Sequence, residues 1–253
     1  MIRGDFMFGN NQNDNFVDNV LSNTWQNEAE LESAVNACLT RVFLRMFVAL
    51  MITAATAYAV YSSEAMMQLI FSNMVLFFGI MIAQIALVIF ISARIEKISV
   101  STANALFFLY AILMGVTLSF IFIAYEIGMI WNAFLISALM FSAMAVFGIL
   151  TKRDLTSIGS YLFMGLIGVI IASVVNIFLR SEMLDFIISY IAVFVFLGLT
   201  AYNTRRTRNM LRRANEASQH DAIARISVIG ALSLYLNFIN LFIRVLSIMG
   251  RRR

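Results

Sequence analysis

Four polar side chains interrupt one otherwise apolar run. In LSLYLNFINLFIRVLSIMG, residues 232–250, Ser233, Asn237, Asn240 and Arg244 follow one another at steps of four, three and four. On a helix of 3.6 residues per turn this spacing puts all four on one stripe. If the run lies in hydrocarbon, such a stripe must face other helices or a wet cavity, because exposed polar groups have no partners in lipid. Two arrangements meet that requirement: hydrogen bonds that join helices, each contributing about 1 kcal/mol, or the lining of a polar path. The spacing does not choose between them. Gln84, Thr117, Ser119, Asn176 and Asn203 also lie within apolar stretches and are available as partners. The chain has no paired His and Cys nucleophile, no HExxH and no GxGD, so no catalytic residue is assigned and an enzyme is not expected. The single histidine, His220, has no cluster of metal-ligand spacing around it, and no metal site is assigned.

The elements that position the stripe follow from composition. Hydrophobic residues make up 61% of the chain and charged residues only 13%, too little polar surface for a soluble globule. A hydrocarbon core about 30 Å thick needs roughly 20 apolar residues of helix. Seven stretches qualify, at 42–61, 66–92, 103–125, 130–150, 158–179, 184–202 and 224–249. Segments such as MVLFFGIMIAQIALVIFI are apolar on every face, which excludes the alternation of a membrane β-barrel. The expectation is an all-α integral membrane protein built as a seven-transmembrane-helix bundle. Its expected organisation is a polar, mobile cytoplasmic tail at 1–40, a seven-helix domain at 41–250 and a basic tail at 251–253. Cys38 is the only cysteine, so no internal disulfide can form, and a small apolar filler is its expected role.

Orientation follows from Lys and Arg. With the N-terminus in the cytoplasm, that side collects Arg41, Arg45, Arg94, Lys97, Lys152, Arg153 and the basic connection from Arg205 to Arg225, and the other side receives Arg180. Arg251, Arg252 and Arg253 break the pattern if the last helix crosses fully, and a re-entrant last helix would restore it. The length of 224–249 favours crossing. The net charge of +4 is then a topological signal, and nucleic acid is not an expected partner. Small residues Gly159, Gly165, Gly168, Ala172 and Ser173 mark the fifth span as one suited to close helix approach.

Three stretches, ALSLYLNFINLFIRVL (231–246), FGILTKRDLTSIGSYLFMGLIGVIIASVVNIFL (147–179) and FVFLGLTAYNTRRTRNM (194–210), resemble the Bax inhibitor-1 (TMBIM) family of membrane proteins, with support from TRVFLRMFVALMITAATAYAV (40–60). The resemblance runs from about residue 40 to 249. It implies a bundle whose last helix is central and ringed by the other six. It also implies a calcium leak channel or exchanger, and for bacterial members a link to membrane-protease control. The family's gate resembles two hydrogen-bonded aspartates, one after a tyrosine at the end of the sixth helix and one in YLDFINLF on the seventh. An arginine near the cytoplasmic end of the second helix latches the first.

The chain departs from that pattern at both carboxylates. TAYNT places Asn203 at the first and LYLNFINLF places Asn237 at the second, and Arg94 in FISARIEKIS is the latch candidate. Two carboxylates in contact share a proton and sense pH. Asparagine keeps the size and hydrogen bonding but neither titrates nor carries charge. The resemblance therefore implies a calcium (cation) leak pathway with pH gating weakened or lost, no cofactor, and a bacterial inner membrane location. The alternative is a non-conducting membrane regulator that binds a membrane protease or another integral partner through its tail and basic loop.

Overall fold

The computed structural model describes residues 11–151 and 155–250, with side chains from residue 28 onward except that of Thr156. The basic tail at 251–253 and the basic pair Lys152 and Arg153 lie outside the described residues. Among the described residues there are nine helices and no strand: α1 (Asn11–Ser62), α2 (Glu64–Ser72), α3 (Met74–Arg94), α4 (Val100–Leu118), α5 (Ile121–Ala124), α6 (Ile127–Leu150), α7 (Thr156–Leu179), α8 (Glu182–Glu216) and α9 (His220–Gly250). Seven segments are long and apolar enough to cross a membrane: Glu28–Ser62, α3, α4 with α5, α6, α7 from Ser157, α8 and α9. Helices suit this chain because they satisfy their backbone groups internally, where lipid offers none.

Three boundaries differ from those read in the sequence. The predicted span 66–92 is broken at Asn73, whose extended backbone ends α2 and whose Oδ1 accepts the N–H of Leu76 at 3.1 Å to start α3. The sixth span does not stop at 202. α8 continues to Glu216, because Thr204, Thr207, Leu211 and Ala214 recur at helical spacing and are all buried, giving the arginine-rich segment a core face. Val35, Cys38 and Leu39 of α1 are also buried, so packing starts ahead of the residue 41 boundary.

α9 occupies the centre. It packs against α1, α4, α6 and α8, while α3 lies outside on α4 and α7 lies outside on α8. The expected ring of six is thus a closer ring of four with two outer helices. Tyr235 of α9 anchors the middle: its ring meets Phe107 and Tyr110 edge-on at 5.7 and 5.8 Å, and its hydroxyl lies 2.7 Å from Thr53 Oγ1 of α1.

Close helix approach involves Gly159 and Gly165 of the expected set, but the tightest backbone contacts are at glycines outside it. A Cβ on Gly148 of α6 would stand 2.5 Å from the Ala201 carbonyl of α8, and one on Gly115 of α4 would stand 2.6 Å from the Thr53 carbonyl of α1. Nothing lies within 4 Å of the corresponding position at Gly168. α7 ends on Arg180, whose φ of 50° is left-handed and whose N–H donates to the Asn176 carbonyl at 2.8 Å. Non-glycine residues adopt this conformation at a cost of roughly 1–2 kcal/mol. Arg180→Gly is expected to stabilise the protein by about 1 kcal/mol net of the added chain entropy, visible as a small rise in Tm.

Candidate functional site

α7 is fastened to α8 and stands off α9. Gly159 lies beneath the Tyr202 ring and Gly165 faces Val195, which fixes α7 along α8. The gap left beside the central helix is a cavity of about 540 Å³. Ser233, Asn237, Asn240 and Arg244 all line it, together with Asn203 and Arg206 of α8 and Ser173 of α7. The remaining wall is apolar, with Leu166, Ile170, Phe196 and Leu199 among its residues. From Ser233 to Arg244 the stripe rises about 16 Å at roughly 1.5 Å per residue, about half of a hydrocarbon core.

The stripe acts mainly as a lining. Asn237 is buried, and its Nδ2 has no hydrogen-bond partner. Asn240 Nδ2 donates to the Leu236 carbonyl on its own helix at 2.8 Å. Only Arg244 reaches across: Nη2 lies 3.4 Å from Ser173 Oγ, and Nη1 lies 4.0 Å from Asp185 Oδ1. Gln84, Thr117, Ser119 and Asn176 do not partner the stripe. Gln84 Nε2 joins α3 to α4 by donating to Thr117 Oγ1 at 2.6 Å and the Leu113 carbonyl at 2.8 Å. Ser119 donates to the Val116 carbonyl at 2.7 Å, and Asn176 Oδ1 accepts the Ser181 N–H at 3.1 Å to close the turn into α8.

The structure brings Asn203 and Asn237 to one cavity without a hydrogen bond between them. Arg94 is not brought there. It is exposed at the end of α3, and α3 packs on α4. The guanidinium beside Asn203 is instead that of Arg206, one turn along α8, which sequence reasoning missed because a run of arginines after an apolar stretch resembles a connection. Asp185, in the first turn of α8, faces Arg244. Ser173, one of the small residues suited to close packing, instead presents its hydroxyl to Arg244. Lined by two guanidiniums and no carboxylate, the cavity offers hydrogen bonds to water or a polar solute and no fixed negative charge. Among the described residues no group of three or more His, Cys, Asp or Glu is placed to hold a metal ion.

These features define an integral membrane protein with seven membrane-spanning helices and a polar cavity against the central one. Residues 35–253 match the family described as Inhibitor of apoptosis-promoting Bax1, and the chain belongs to this Bax inhibitor family. It is similar to the inner membrane protein YbhL of Escherichia coli, with 47% identity over 204 residues covering 81% of this chain and 87% of that protein. A protein of Borreliella burgdorferi is 45% identical over 81% of this chain and 87% of its own length. One of Rickettsia prowazekii is 38% identical over 81% and 85%.

Proposed function

We propose that this chain forms a hydrated pathway that lets calcium or another cation leak slowly across a bacterial inner membrane, without a response to pH and without enzymatic chemistry. The observation that carries the reading is the placement of Asn203 and Asn237, at the positions where the family resemblance implies aspartates, on the wall of the cavity that also holds the entire polar stripe. The excess of Lys and Arg on one set of connections supports a cytoplasmic N-terminus. Neither amide titrates, so the site has no proton switch. Two arginines and no carboxylate in the lining disfavour tight calcium binding, because calcium prefers charged oxygen ligands. The pathway is therefore a weak conductor at rest.

The test is calcium entry into dye-loaded proteoliposomes from pH 6 to 8. The expected result is a slow flux that is flat with pH here, and a larger flux that falls on acidification in Asn203→Asp with Asn237→Asp. Absence of flux in both forms, with the protein folded and inserted, would overturn the reading. The second reading, a non-conducting regulator of a membrane protease or other integral partner, is favoured by the same positive lining. Deleting residues 1–27 tests it. This deletion spares the buried Val35 and Cys38, and a docking role through the tail should be lost while any flux survives.

A further inference from the structure

The arginines of α8 divide between two faces. Arg208 and Arg212 face α1, where both meet Glu32, and Arg212 also pairs with Glu216 at 3.0 Å. Arg205, Arg206 and Arg213 lie on another face and form no ion pair with any described carboxylate. With Tyr202 and Asn209 they follow at steps of three, one, three and four, the spacing of one helical face. That face lines a second, half-open pocket of about 390 Å³, with Leu155 ahead of α7 on its rim and Arg206, Asn209 and Arg213 exposed. Arg205 lines the pocket, and its Nε is buried without a hydrogen-bond partner.

Position selects the ligand. The apolar run of α8 ends at Tyr202, so the three guanidiniums stand within about three turns of where hydrocarbon gives way to head groups. Arg206 also lines the larger cavity, whose apolar α7 wall includes the exposed Ile170 and Ile177. A half-open cationic pocket therefore adjoins an apolar groove open toward the acyl chains. Guanidinium forks match phosphate oxygens, and their charge is retained at every relevant pH. We propose that the Arg205, Arg206 and Arg213 pocket binds the phosphate head group of an anionic phospholipid, with an acyl chain laid along the adjoining α7–α8 groove. Interfacial basic pockets between membrane helices are suited to such head groups. The inference is independent of whether the neighbouring cavity conducts.

Native mass spectrometry and binding titration of the full chain in nanodiscs test it, with phosphatidylglycerol, phosphatidylcholine or inorganic phosphate offered in turn. Phosphatidylglycerol is expected to bind with a discrete stoichiometry, phosphatidylcholine not to compete, and free phosphate to displace it only weakly for want of a chain. Arg205→Gln with Arg213→Gln should weaken phosphatidylglycerol binding by roughly tenfold or more. Arg94→Gln with Lys97→Gln, which removes equal charge from exposed positions on the same predicted side, should change it little. The paired lysine variant, Arg205→Lys with Arg213→Lys, should retain much of the affinity, separating lost charge from lost fold. Equal weakening in both glutamine pairs would reduce the effect to net charge and overturn the site. So would full displacement by free phosphate, which would make the pocket a simple anion site, or indifference to head-group charge.

Discussion

Gly148→Ala is expected to destabilise the bundle by about 1–3 kcal/mol, the usual range for overpacking a tight interface. The added Cβ would stand 2.5 Å from the carbonyl oxygen and 3.1 Å from the carbonyl carbon of Ala201, and 3.0 Å from Thr204 Cβ. Two of those contacts are backbone atoms in mid-helix, which cannot swing aside as a side chain does, so α6 and α8 must part. Both helices pack on α9, and the contacted residues flank Asn203, so the wedge should also disturb the cavity wall. Gly168→Ala provides the contrast. With nothing within 4 Å, it should leave Tm unchanged or raise it slightly through better helix propensity, by about 0.5–1 kcal/mol. Thermal unfolding of the purified protein in detergent checks both. A Gly148 variant as stable as the parent would mean that the α6–α8 contact is not close in the membrane.

That pair of glycines marks the limit of what the residues disclosed. Gly148 and Gly168 both sit in apolar runs among small residues, and only the neighbouring helix distinguishes them. Features within one helix were legible. The steps of four, three and four put Ser233, Asn237, Asn240 and Arg244 on one face of α9, where all four line one cavity, and the apolar lengths correctly counted seven spans. Features set between helices were not. Arg94 was assigned to the gate on local resemblance, but the register of α3 on α4 leaves it exposed elsewhere. The helical extension of α8 is masked in the sequence because Thr207, Leu211 and Ala214 are spaced among arginines of the kind that fill a solvated connection. Asn73 carried a usable signal, a capping residue amid apolar neighbours, which the length of the run obscured.

Arg244→Gln is expected to raise calcium flux by about tenfold or more if cations pass along this cavity. Arg244 projects from the central helix at one end of the stripe, and its charge is offset only by the Ser173 hydroxyl at 3.4 Å and Asp185 at 4.0 Å. A divalent cation held roughly 8 Å from an uncompensated guanidinium meets a repulsion of about 4 kcal/mol at an effective dielectric of about 20. Removing even a third of that, about 1.4 kcal/mol, is worth a factor of ten in rate. Asp185→Asn should act oppositely, because it strips away part of the compensation and leaves Arg244 more repulsive. Combining the two substitutions should return flux toward the Arg244→Gln level, since Asp185 acts here through the charge it offsets. The same dye-loaded proteoliposomes report all three variants, with osmotic integrity and insertion measured in parallel. Opposite changes in the two single variants would locate the ion beside the α9 stripe. Flux that is present but indifferent to both would place its route elsewhere in the bundle, leaving the cavity to a solute or a lipid chain.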